Sequence, residues 1–184
     1  MDRKEAVQYI SLLLGGTLVG ANSFLSGCKT ADKQLFSKDD QAYLDEIAET
    51  ILPETKTPGA KAAQVGQFMI IMFTDCYNKK EQETFREGMK KINDQSEAKF
   101  GKSYLGLTIE QRHELLVQID NEQKQYTKNK KEDEPVHYFR MMKELALLGY
   151  FISKPGCTQG KRYMPVPGKY IGCVPYKKGD KAIV

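Results

Sequence analysis

Apolar residues recur along this chain mostly at intervals of three and four, the spacing of amphipathic helices, and no sustained strand-like alternation breaks that pattern. Leu44, Ile47, Ala48 and Ile51 form the first stripe. Phe36-Ser37 opens it: Ser37 is placed to cap, Asp39 and Asp40 favour the positive end of the helix dipole, and Pro53 stops the helix. Val65, Phe68, Met69, Met72, Phe73 and Cys76 lie along one face of a second helix, expected over residues 60–77. Residues 79–100 carry a narrower stripe of Phe85, Met89, Ile92 and Phe100, with Gly101 placed to end it. Thr108-Ile109-Glu110-Gln111 has capping-box spacing, so another helix begins there with Leu115, Leu116 and Ile119 in the core and His113 facing out. Pro135 suits the first turn of a last helix. Its apolar face is Val136, Phe139, Met142, Leu145, Ala146 and Leu148, and Gly149 closes it. The expected fold is mainly α, a helical bundle of about five helices over residues 36–150.

Three stretches depart from the pattern. Ile51-Leu52-Pro53-Glu54-Thr55-Lys56-Thr57-Pro58-Gly59-Ala60 holds two prolines and a glycine, which force a defined loop. Residues 121–134 are polar and charged and read as a mobile loop or a frayed helix end. From residue 149 onward, Pro155, Pro165, Pro167 and Pro175 sit among recurring glycines. Proline fixes φ and removes a donor, so this segment is not a regular helix. Tyr163, Met164, Val166, Tyr170, Ile171, Val174 and Tyr176 give it apolar surface, unlike a disordered tail. Residues 151–184 are therefore expected to form an irregular Pro/Gly/Tyr-rich C-terminal arm, packed on its own domain or on a partner.

The amino terminus reads as an address. Arg3 and Lys4 precede the apolar run of residues 10–20, long enough for a signal segment and short for a membrane span. Leu25-Ser26-Gly27-Cys28 then matches a bacterial lipobox, making Cys28 the expected site of lipid attachment. Residues 1–27 are the expected signal peptide and 28–35 a lipid-anchored tether. Asp2-Arg3-Lys4-Glu5-Ala6 also looks like a degenerate twin-arginine start, with Lys4 where a second arginine would stand. Either route ends outside the cytoplasm, and with lipid on Cys28 the expected product is an exported, membrane-anchored lipoprotein on the periplasmic side.

Composition alters this picture through charge and cysteine. The formal net charge is +4, unevenly placed. Residues 154–184 hold seven Lys/Arg against one acidic residue, a local +6, while residues 28–153 stand near −2. A basic arm on a slightly acidic body fits contact with an acidic surface: protein, anionic lipid or nucleic acid. With Cys28 lipidated, Cys76, Cys157 and Cys173 remain. An oxidising compartment permits a Cys157–Cys173 disulfide, which would restrain the arm by up to about 3 kcal/mol. Cys76, on a helical apolar face, is then the unpaired thiol.

Familiar catalytic patterns are missing. There is no phosphate loop, Gly-x-Gly-x-x-Gly motif, paired-carboxylate signature or nucleophile elbow. His113 and His137 lie too far apart in sequence to give a metal cluster. A binding subunit is favoured. The alternatives are a stand-alone lipoprotein enzyme using Cys76 with a histidine, and nucleic-acid binding by the arm, against which the lipobox argues.

Gly149-Tyr150-Phe151-Ile152-Ser153, Tyr163-Met164-Pro165-Val166-Pro167-Gly168-Lys169-Tyr170 and Gly172-Cys173-Val174-Pro175 resemble the carboxy-terminal signature of the gluconate 2-dehydrogenase subunit 3 family. Ile51-Leu52-Pro53 with Thr57-Pro58-Gly59-Ala60 resembles that family's amino-terminal motif. The resemblance implies an accessory small subunit beside a large FAD-dependent dehydrogenase of the glucose-methanol-choline oxidoreductase type. Electrons would pass on to a cytochrome or another membrane acceptor. It implies FAD in the partner, no cofactor or catalytic residue here, and a role in maturation or export. Pro53, Pro58, Gly59, Tyr163, Pro165, Pro167, Gly168, Tyr170, Gly172 and Cys173 match the motifs and are the expected partner contacts. Lys154-Pro155 departs from the family pattern, which has an acidic residue after the Gly-Tyr-Phe segment.

Overall fold

Three of the helices start where the sequence supplies a reciprocal cap. In the computed structural model, which describes residues 36–183 except Asp133, Pro167, Tyr170 and Ile171, there are five α-helices. They are α1 (Lys38–Ile51), α2 (Val65–Cys76), α3 (Lys79–Phe100), α4 (Ile109–Asn129) and α5 (Tyr138–Ile152). A 3-10 turn, Tyr104–Gly106, links α3 to α4, and a π-turn, Gly156–Gly160, follows α5. Complete capping boxes join Ser37 with Asp40, Asn78 with Glu81 and Thr108 with Gln111. Each cap satisfies amides the helix cannot, worth about 1 kcal/mol. The mainly α expectation holds, and α3 has the expected limits.

The second helix is shorter than expected. Residues 60–64 are turns, and α2 begins at Val65. Its N-cap, Gln64, has φ 55° and makes no side-chain cap. The left-handed conformation costs a non-glycine residue about 1–2 kcal/mol. The orphan amide of Gly66 finds an acceptor on another helix instead: it donates to Asp45 Oδ1 of α1 at 2.9 Å. Burial raises the Asp45 carboxyl above its usual range, against the pull of that amide. Cys76 is exposed, not on the buried face; Val65, Gly66, Met69 and Phe73 form that face.

Four further expectations are corrected. Residues 121–129 continue α4 as helix. No glycine or proline breaks them, buried Gln123 donates to Thr127 at 2.8 Å, and Lys124 pairs with Asp120 at 2.7 Å. Pro135 lies outside α5, whose N-cap is His137. Gly149 does not close α5. It sits under Phe68 of α2, where a Cβ would collide with the ring, and the helix runs on to Ile152. Val136 and Leu148, expected in the core, are exposed.

The core centres on α5, which touches each of the other four helices and the π-turn. Eight of its fifteen residues are buried, from Tyr138 to Tyr150. Each large apolar side chain taken from water contributes about 1.5–3 kcal/mol, so this face outweighs any single cap. On the far side, Phe73 and Phe85 rings meet at 3.7 Å and Phe36 closes over Phe85 at 6.0 Å.

A buried polar network joins α1 to the turn before α4. Tyr104 is fully buried, its hydroxyl shares a hydrogen bond of 3.0 Å with Thr50, and its backbone amide donates to Asn93 Oδ1 at 3.1 Å. Burial pushes its hydroxyl pKa up to about 12. Arg112 donates to the carbonyls of Tyr104 (3.2 Å) and Leu105 (2.7 Å) and pairs with Glu46 at 2.6 Å. Glu46 also pairs with Lys61. Burial alone would raise the Glu46 carboxyl; the two cations outweigh it and hold it below its usual range. No described helix is long and apolar enough to cross a membrane.

Two outcomes follow from these contacts. Arg112→Ala removes three charged hydrogen bonds from a mostly buried site and should cost about 2–3 kcal/mol in chemical denaturation, since Lys61 still neutralises Glu46. His137 caps α5 by accepting the Phe139 N–H on Nδ1 at 3.3 Å, between the rings of Tyr126 and Tyr138. Burial, with Lys91 adding to it and Glu122 opposing, lowers its pKa. The unfolded chain therefore takes up this proton first. Its contribution is complete above the ordinary histidine value of about 6.5 and is lost as pH falls through the lower folded value. His137→Asn keeps a cap without titrating, so denaturation midpoints should lose that step on acidification. An unchanged slope would assign the step elsewhere.

Candidate functional site

The loop between α1 and α2 is held by one carboxylate. Glu49 accepts from the amides of Glu54 at 2.7 Å and Lys61 at 2.8 Å, pinning both ends. Gly59 lies against that carboxylate, and a Cβ there would overlap it. The Ala60 amide closes the loop on the Leu52 carbonyl at 3.0 Å. Pro53 is left exposed, Pro58 half-buried and Gly59 buried.

The start of the arm reaches this loop. Tyr150, near the end of α5, donates its hydroxyl to the Pro58 carbonyl at 2.8 Å across 92 positions of sequence. The Tyr150 carbonyl meanwhile accepts from Ser153 Oγ at 2.6 Å, and that oxygen accepts from the Gly156 amide at 3.1 Å. Cys157 donates its amide to the Ser153 carbonyl at 2.9 Å. Lys161 lies over the Phe151 ring at 4.6 Å. Loop, helix end and π-turn thus form one connected face.

The remaining candidates sit further along the arm. Tyr163 is 55% exposed, and Pro165, Gly168, Gly172 and Cys173 are exposed. Pro167, Tyr170 and Cys28 lie outside the described residues, as do the expected leader and tether, residues 1–35. The arm is not extended throughout: residues 149–152 are helical and 156–160 form the π-turn. Cys157 and Cys173 are free thiols, so the expected disulfide is not formed; the Cys157 thiol donates to the Phe151 carbonyl at 3.1 Å.

Spacing in sequence hid Glu49, which reads as one more charged residue on α1. Its signal was indirect: a tight loop with two prolines leaves backbone amides that need an acceptor from somewhere. The thiol–histidine pairing is not assembled among the described residues. Cys76 is exposed at the end of α2, His113 is exposed on α4, and His137 is committed to its cap. No group of three or more His, Cys, Asp or Glu is arranged for a metal among the described residues. A groove of about 700 Å³ runs beside Lys99, Val117 and Asn121, and one of about 410 Å³ beside Lys131, His137 and Arg140. Neither includes a residue of the two motifs.

Tyr150→Phe removes the hydroxyl that joins the loop to the end of α5 and leaves the half-buried Pro58 carbonyl without it. The expected loss is about 1–2 kcal/mol, with faster hydrogen exchange at the amides of Ala60 and Lys61. Unaltered exchange there would mean that the loop stands without the helix.

No curated protein and no solved structure matches the chain. The sequence model described as Gluconate 2-dehydrogenase subunit 3 matches residues 38–168, which include the α1–α2 loop, α5 and the first part of the arm. The chain belongs to the gluconate 2-dehydrogenase subunit 3 family.

Proposed function

We propose that this chain is a non-catalytic accessory subunit that holds a large FAD-dependent dehydrogenase of the glucose-methanol-choline type. In this reading it is exported, anchored through lipid on Cys28, and aids the assembly, export or membrane attachment of the flavoprotein. FAD and the sugar or sugar-acid chemistry belong to the partner, and a cytochrome or another membrane acceptor receives the electrons.

The observation that supports the reading best is the Tyr150–Pro58 hydrogen bond. It joins two motifs far apart in sequence into one face, at 2.8 Å. An enzyme of this size would be expected to gather its chemistry in an enclosed pocket. Here the motif residues instead include exposed proline, tyrosine and glycine on a braced scaffold. Such a surface loses little entropy on association, and tyrosine supplies wide amphipathic contact.

Affinity purification of the full chain from membranes in gentle detergent tests the reading. A stoichiometric flavoprotein, identified by its flavin absorbance and by mass spectrometry, is the expected companion. Recovery of the chain alone, or dehydrogenase turnover by the purified chain without a partner, would count against it. Without Cys28 (Cys28→Ala), both proteins should leave the membrane fraction together.

A further inference from the structure

The arm beyond α5 returns to its own beginning. The Arg162 amide donates to the Ala182 carbonyl at 2.8 Å, and Arg162 and Ile183 form an isolated parallel bridge. The Lys181 ammonium donates to the Gln159 carbonyl of the π-turn at 2.6 Å. Residues 159–162 and 181–183 thus close the base of a loop against the π-turn. Val166 is 81% exposed on it, Val174 59% and Tyr176 75%, and Lys169, Lys177 and Lys178 are exposed as well.

Exposed apolar side chains do not by themselves name an occupant, but the charge narrows the choice. Ion pairs among the described residues join body residues to one another: Glu46 with Lys61 and Arg112, Asp120 with Lys124 and Lys143. None of those pairs uses a cation of the arm. The acidic residue of the arm, Asp180, accepts the Lys177 backbone amide at 2.8 Å. The loop therefore presents positive charge that the body leaves unneutralised, around apolar side chains that the body leaves uncovered.

We propose that this closed loop is a clasp for the partner subunit, and that the partner surface it fits is a protein surface acidic at its rim and apolar beneath. The inference rests on the accessory-subunit reading. The division of labour follows from physics. Rim lysines act at a distance and set the rate of encounter, an effect that salt screens. The buried contacts of Tyr176 and the valines set how long the complex lasts.

The test uses the purified flavoprotein and the full-length small subunit in detergent, with association and dissociation followed at low and high salt. The Lys177→Glu/Lys178→Glu double variant should associate about ten-fold more slowly than wild type at low salt and about equally at high salt. Tyr176→Ala should dissociate about ten-fold faster with little change in association. Thermal midpoints should match wild type, because these side chains are exposed. Equal association of the charge-reversed variant at every salt overturns the clasp while leaving the accessory reading intact. Wild-type subunit that never captures the flavoprotein overturns both. A third arm uses vesicles with and without phosphatidylglycerol. Loss of vesicle binding in the charge-reversed variant, with flavoprotein capture unchanged, makes the loop a lipid contact and overturns the proposal.

Discussion

The burial of α5 is the constraint on which the remaining structure depends. A single helix touches the other four, so it must carry apolar side chains over much of its circumference. That requirement explains Tyr138, Phe139, Met141 and Met142 in its first turns and Leu145, Ala146 and Gly149 beyond them. It also explains why the helix continues past a glycine. At position 149 the neighbour is the Phe68 ring, and a side chain would push α2 away. The helix end is thereby delivered to the α1–α2 loop, where Tyr150 bonds Pro58. Central packing thus positions the candidate face.

A second layer of order is electrostatic and belongs to α1. Asp45, Glu46 and Glu49 each serve something outside their own helix: the start of α2, the Lys61 and Arg112 cations, and the two ends of the loop. Partly buried carboxylates are costly unless paired. These are paired with the Gly66, Glu54 and Lys61 amides and with the Lys61 and Arg112 cations. The exchange offsets the desolvation of both sides and fixes the loop without a disulfide or metal.

Much of the fold was legible in the sequence because its signals are local. Capping boxes at Ser37, Asn78 and Thr108 require only three residues, and α3 ends at its glycine. The failures needed information from elsewhere in the chain. The late start of α2 depends on Glu49 and Asp45, which lie on another helix. The extension of α4 rests on buried Gln123 and on Asp120, which pairs with Lys143 of α5. Both motif stretches stood out by their prolines and glycines, so the candidate residues could be named. That the stretches meet could not be read, because a hydroxyl and a carbonyl 92 positions apart leave no periodic trace.

The bracing of the loop by Glu49 makes the two halves of the face unequal in entropy. The amides of Glu54 and Lys61 are already fixed, as is the Pro58 carbonyl, so a partner landing on this half orders little that was free. The arm's half is different: Val166 and Tyr176 give most of their surface to water. Immobilising such side chains costs about 0.5–1.5 kcal/mol each, while covering their apolar area lowers the heat capacity. For an occupant spanning both halves, the loop half therefore serves as a rigid template, and the calorimetric signature of association comes chiefly from the arm.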